Sequence, residues 1–206
     1  MKKKILLGIF ALAIAFQASA QDKAFNFGFK VAPAIAWLSI DNLDIKSDGS
    51  NVKCNWGFFG AWNFAENFSL VSGFNVNFLG GNYKINPPAG SEMLTISNKI
   101  RLSEFELPVA FQMRTNDIND FKFFMQLGLA AAYIFRAKDK DDRDIDNARK
   151  FAINYFVTAG TEYAVTSSLS LIGQVRYNGG LTSVMGKNSF ADTRANFVEL
   201  GLGVMF

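Results

Sequence analysis

The sequence contains no histidine and a single cysteine, Cys54, in 206 residues. Without His, the side chain whose pKa lies nearest neutrality, the usual base of hydrolytic barrel enzymes is missing, and so are His-containing zinc sites. One Cys cannot form an internal disulfide, and its plain reading is a small side chain. Beyond the first twenty residues no apolar run approaches the roughly 18 residues of a membrane-crossing helix, so transmembrane helices are excluded. A dominant charge sign is missing too. Lys and Arg number 21 against 18 Asp and Glu, and three of the cations are Lys2, Lys3 and Lys4. The rest balances, which leaves no basic face for a nucleic acid and predicts no nucleic-acid partner.

Those three lysines open the first feature that is present. They precede an apolar run from Ile5 to about Phe16 and then Ala18-Ser19-Ala20, the order of a basic segment, a hydrophobic segment and an A-x-A cleavage site. The run of about a dozen residues is too short to anchor the chain in a bilayer. Residues 1–20 are expected to be a cleaved export signal and residues 21–206 a single domain. No Cys follows the small residues, so a lipid-anchored version of the signal is not expected.

The remainder is rich in Phe (22) and Gly (17), and from Phe25 it falls into eight segments with an apolar residue at every second position, the period of a strand with two unlike faces. Phe105, Leu107, Val109, Phe111 and Met113 alternate with Glu104, Glu106, Pro108, Ala110, Gln112 and Arg114. Leu127 and Leu129 oppose Gln126 and Gly128, and Val198, Leu200, Leu202, Val204 and Phe206 oppose Glu199, Gly201, Gly203 and Met205. Phe59, Phe124 and Ile134 interrupt the polar side. Connections alternate in length: short at about Ala65 to Asn67, Thr115 to Asp120 and Ala164 to Ser168; long at about Ser39 to Lys53, Gly80 to Asn98, Ala137 to Lys150 and Gly179 to Asn196. This ordering predicts an all-β fold, an eight-stranded antiparallel up-and-down transmembrane β-barrel with short periplasmic turns and long external loops. Both termini are then periplasmic, in the bacterial outer membrane.

A soluble lipocalin-like barrel shows the same alternation with the faces exchanged. Two features favour the membrane arrangement. The polar face is rich in Gly, Ala, Ser and Asn, which suit a narrow interior. Its charges come in both signs, Glu104, Glu106, Glu162 and Glu199 against Arg114, Lys122, Arg136 and Arg176, and are expected to pair across the lumen, where a lone charge is costly. Trp37, Trp56, Trp62, Tyr83, Tyr133, Tyr155, Tyr163 and Tyr177 lie mostly near strand ends, as girdle aromatics do. The last strand, with Glu199, Gly201, Val204 and a terminal Phe206, has the spacing of the signal read by outer-membrane assembly machinery.

Three segments resemble a known family. Leu102 to Met113, with its Glu-Phe-Glu-Leu-Pro-Val core, resembles a Leu-Glu-Ile-Pro-Leu strand of PorT-like outer-membrane β-barrel proteins. Ala159-Gly160-Thr161-Glu162-Tyr163 resembles their Gly-x-Glu-Tyr strand end, and Val175 to Leu181 their Arg-Tyr-x-x-Gly-Leu segment. The resemblance spans essentially the whole chain after residue 20 and implies the barrel fold, and none of its motifs marks a catalytic residue.

The residues therefore predict no catalytic, cofactor or metal site. Glu104 and Glu106, two apart on one strand face, read as ion-pair partners. The acids of Lys138 to Asp146 lack the Gly and final Glu of a calcium loop and are interrupted by bases. The expectation is a non-enzymatic outer-membrane barrel in a structural or interaction role, presenting loops or serving as an accessory subunit of a larger membrane complex. Its expected partners are outer-membrane lipids, the assembly machinery and a complex subunit. A narrow pore and an exported soluble binder of apolar ligands are the alternatives.

Overall fold

In the computed structural model the alternating segments become eight strands: β1 (Phe25–Asp41), β2 (Ile45–Ala65), β3 (Phe68–Ile85), β4 (Ile96–Arg114), β5 (Phe121–Lys138), β6 (Phe151–Thr166), β7 (Leu169–Gly180) and β8 (Asp192–Met205). The structure describes residues 24–41, 45–85, 96–145, 147–186 and 192–206. The expected export signal lies outside them. Every strand pairs antiparallel with its sequence neighbours, and β1 also pairs with β8, which closes the barrel and leaves no edge. At the seam, Phe206 N–H donates to Phe27 O (2.7 Å) and Phe27 N–H to Phe206 O (3.1 Å).

Register fixes the slant of the wall. Pairing leads from Asn26 on β1 through Ala61, Val71, Ala110, Gly128, Phe156, Asn178 and Phe197, and returns to β1 at Ala36. That offset, from position 26 to position 36, tilts the strands by about 40° to the barrel axis.

The strands run farther than hydropathy suggests. Of the expected long connections, Ser39 to Lys53 is largely strand, and Gly80 to Asn98 and Gly179 to Asn196 are strand at their ends: β1 and β2 continue to Asp41 and from Ile45, β3 and β4 to Ile85 and from Ile96, and β8 begins at Asp192. These stretches carry polar residues on both faces, so the period-two signal fades while the backbone ladder continues. Gly80 and Gly81, expected to open a long connection, are inside β3, and Gly81 lies against Leu38.

Leu107, Leu127 and Leu202 are 57%, 65% and 66% exposed on the outer wall, while Glu104, Glu106 and Glu199 are at most 1% exposed inside. Apolar side chains therefore face out and charged ones in, and the soluble arrangement is not the one formed. Outward aromatics gather toward both ends of the wall. Phe25 stacks on Trp62, and Phe121 meets Tyr163, at the turn end; Trp37 meets Tyr177 and Tyr133 meets Phe151 at the loop end. Replacing Leu127, near the middle of β5, with Arg is expected to destabilise the lipid-inserted barrel by about 2–4 kcal/mol. Urea unfolding in vesicles measures it, and a change below 0.5 kcal/mol would mean that this face meets water.

Phe59 and Phe124 interrupt the polar face because their rings lie inward over glycines. A Cβ on Gly28 would stand 2.1 Å from the Phe59 ring, one on Gly160 2.5 Å from Phe124, and one on Gly128 2.6 Å from Phe156. Each glycine is the floor on which a ring is laid flat, so a barrel this narrow can take aromatic side chains inside without opening its wall.

Candidate functional site

Among the described residues, polar side chains converge out of water in the lumen, which is built in layers. At the turn end a mouth of about 940 Å³ is bordered by Glu66, Arg114, Asp117, Asp120, Lys122 and Glu162. Arg114 lies 3.8 Å from Glu162 and donates to Asn63 Oδ1 (2.8 Å), which also accepts from Ser69 Oγ (2.6 Å). Lys122 is opposite Glu162 in the ladder but bonds Asp117 at 3.3 Å, with 38% of its side chain exposed. It sits in the mouth and not deep in the lumen.

Above the mouth Phe124, Ile172 and Met205 close the bore, with Phe59 packed against them. Beyond them a cavity of about 40 Å³ is lined by Lys30, Asn75, Gln112, Gln126, Gln174 and Arg176 among others, room for a few waters and no solute. On its wall, Gln126 Nε2 donates to Gln112 Oε1 of the neighbouring strand (2.7 Å).

The next layer is ionic. Arg176 Nη2 donates to Glu106 Oε1 (2.7 Å) and to Asn178 Oδ1 (3.0 Å), while Asn75 Nδ2 donates to the same Glu106 oxygen (2.8 Å). The guanidinium lies 3.9 Å from the centre of the Phe156 ring. Lys30 Nζ meets Glu199 Oε1 at 2.5 Å, and Asn55 Nδ2 donates to Glu199 Oε2 (3.0 Å). Asn55 Oδ1 in turn accepts the Phe78 N–H (2.9 Å), bridging β2 and β3 where their register breaks between Trp56 and Ser50. Glu104 accepts from Asn77 Nδ2 (3.0 Å), and no ion pair among the described residues includes it. The charges of Arg176, Glu106, Lys30 and Glu199 persist because partners face them from other strands; an isolated ion would cost several kcal/mol there.

An apolar cap finishes the stack. Leu38, Leu79, Leu102, Ile134 and Phe197 pack with Val184 and Met185 from the β7–β8 connection. That connection is tied to the β5–β6 loop: Arg149 N–H donates to Val184 O (2.9 Å), Gly186 N–H to Asn147 O (2.7 Å), and Ala148 bridges Met185.

Of the charges expected in the lumen, the structure brings Glu106 to Arg176 and Arg114 to Glu162, buries Glu104 nearby, and pairs Glu199 with Lys30. Arg136 departs from expectation. The β4–β5 register slips between Ser103 and Glu104, so Phe135 is an extra residue on β5. Ala137 then turns inward onto the cap and Arg136 is exposed. Sequence reasoning missed Lys30 as a partner, although its place between outward Phe29 and Val31 put it on the inner face; the asparagines that complete the carboxylate shells carry no signal of their own. Glu199 therefore has a lumenal partner, while Gly203 lies against Phe29 O and Lys30 and Phe206 is exposed on the outer wall.

The β5–β6 loop has its own electrostatics. Asp139 Oδ1 accepts the N–H groups of Asp141 (2.8 Å) and Arg143 (2.9 Å), and Arg143 pairs with Asp139 (3.2 Å) and Asp141. The Arg143 N–H, foremost, holds the Asp139 carboxyl below the usual aspartate range. A depressed pKa stabilises the ordered loop above the unfolded value and loses that contribution as pH falls through the folded value. Amide exchange at Asp141 and Arg143 is expected to stay slow from neutrality down to about pH 4 and to quicken, relative to intrinsic rates, only below it; Asp139→Ala should quicken it throughout.

The outer membrane protein beta-barrel domain model matches residues 17–186. No match was found among curated protein sequences. Among solved structures, Neisserial surface protein A (NspA) is 18% identical, with a TM-score of 0.54 over 89% of this chain and 96% of that one. The outer membrane protein OprG from Pseudomonas aeruginosa is 11% identical, with a TM-score of 0.52 over 91% and 98%. At these identities the likeness is one of fold. With the inverted faces, the closed eight-stranded wall and the filled bore, the match leads to one conclusion: this chain belongs to the family of outer membrane protein β-barrel domains and is a transmembrane protein of the outer membrane.

Proposed function

We propose that this protein carries out no chemistry of its own and acts as a plugged barrel that displays its long-loop end to the outside, as an anchor for loops or an accessory subunit of a larger membrane complex. The observation that carries the reading is the filling of the lumen: the Phe124 layer, the ionic layer and the Leu38–Phe197 cap succeed one another along the axis. The cavity of about 40 Å³ that the described residues leave between them holds a few waters. The ordered pairing of the β5–β6 and β7–β8 connections supports a fixed external surface.

The same reading takes residues 1–20 as a signal cleaved after Ala20, the short turns and both termini as periplasmic, and Glu199, Gly201, Val204 and Phe206 as the assembly signal. The family resemblance at Leu102 to Met113 points to the PorT-like branch. Two measurements test the proposal. Folded barrel in a planar bilayer is expected to give no stepwise current, and a photo-crosslinker at Asp144 in intact cells is expected to capture a discrete membrane-protein partner. Stepwise current that falls when Arg176 is neutralised would replace this reading with that of a narrow pore.

A further inference from the structure

The outer wall is not electrically symmetrical. At the turn end the charged side chains Glu66, Asp117, Asp120 and Lys122 border the mouth of the lumen, and Lys122 is paired with Asp117. At the loop end, cations stand on the outside of β4 and β5 immediately beyond the apolar band. Phe105 and Phe135 stack with ring centres 4.4 Å apart and close that band. In the next ladder positions Ser103 faces Arg136 and Arg101 faces Lys138, with Lys99 one outward position farther along β4.

Acids do not neutralise this group. Asp142 alone serves Arg101 (2.9 Å) and Lys138 (4.0 Å), and no ion pair among the described residues includes Arg136 or Lys99. The bulge at Phe135 is what puts Arg136 here: an unbroken alternation would have turned it into the lumen. A cation just past an aromatic belt sits at the depth of lipid headgroups, where its stem lies along the apolar wall and its head reaches the phosphate plane. Arg136 offers a planar donor fork that matches phosphate oxygens bidentately, beside Arg101, whose Nη2 is held by Asp142 (2.9 Å) and the Asp139 carbonyl (3.0 Å) and adds its positive charge.

We propose that the β4–β5 wall around Arg101, Arg136, Lys138 and Lys99 is a binding surface for phosphate-bearing lipid headgroups in the leaflet at the loop end. The occupant is a lipid and not a free anion, because the patch continues directly from the lipid-facing Phe105–Phe135 stack. The proposal rests on the loop end facing outward only for naming the leaflet as the outer one; binding in a symmetric bilayer does not depend on orientation, so the two can fail separately.

The test uses heat-modifiable, folded protein in phosphatidylcholine nanodiscs doped with diphosphorylated lipid A, or with the same lipid A after enzymatic removal of its phosphates. Native mass spectrometry then reports the apparent affinity for the dopant. The wild-type protein is expected to bind the phosphorylated lipid, and Arg101→Gln with Arg136→Gln to weaken that binding roughly ten- to thirty-fold. Arg143→Gln, which removes a cation from the β5–β6 loop, is expected to leave it unchanged. Equal binding by the folded double variant, equal loss in Arg143→Gln, or indifference to the phosphates would overturn the proposal.

Discussion

Arg176→Met should lower the unfolding free energy of the bilayer-inserted barrel by about 3–5 kcal/mol, the cost of removing one partner of a buried ion pair. The arginine is 3% exposed, and its loss would leave Glu106, itself wholly buried, with only the Asn75 amide at its shared oxygen. Asn178 Oδ1 would lose its guanidinium donor in the same step, and the Phe156 face its cation. Arg176→Met combined with Glu106→Gln should recover much of the loss, because a neutral amide in place of the carboxylate no longer needs a counter-ion. Urea titration in vesicles, followed by the heat-shifted band on electrophoresis, measures both. A single variant as stable as the wild type would show that water or Lys30 carries Glu106 without Arg176. A double variant no better than the single one would show that the arginine acts by packing and not by charge.

Phe156→Ala should cost a similar amount, about 3–5 kcal/mol, for a different reason. The ring is 2% exposed, packs with Ala61, Val71, Ala110 and Ala130, and lies over Gly128, whose missing side chain makes the space for it. Few neighbours can collapse into the hole, because the cluster is made of small residues fixed to a closed wall. The cavity of about 40 Å³ that Phe156 borders would grow, and with it the hydration of the ionic layer. Phe156→Leu, which keeps apolar volume but loses the flat face, should cost clearly less than the alanine and still slightly loosen Arg176. If alanine and leucine proved equally mild, the lumen would be a soft filling, and the reading of the bore as plugged would fall with it. Planar-bilayer recordings of the same variants show whether any opening reaches from mouth to cap.

Much of this was legible along the chain. Alternation over Phe105 to Met113 and over Val198 to Phe206 was enough to give strand identity and the two faces, because a strand's side chains point to opposite sides in strict order and lipid and lumen select opposite chemistries. The mixed signs on the inner face announced ion pairing before any partner could be named. The count of eight strands came from the alternating segments, and the rhythm of short and long connections gave the up-and-down order.

Which charge meets which was decided only in three dimensions. Arg176 and Glu106 are 70 positions apart and Lys30 and Glu199 are 169 apart, and their meeting depends on the barrel's slant, which no local pattern records. The strand extensions to Asp41, Ile85 and Ile96 escaped notice because a wall standing clear of the bilayer needs no apolar face, while its hydrogen-bond ladder continues regardless. Arg136 changed sides through one extra residue at Phe135, a slip that inverts every position after it. Hydropathy thus settled which face each regular strand presents, since that is a property of single residues and their solvent; closure, register and the bulge settled partnership, since those are properties of pairs of strands.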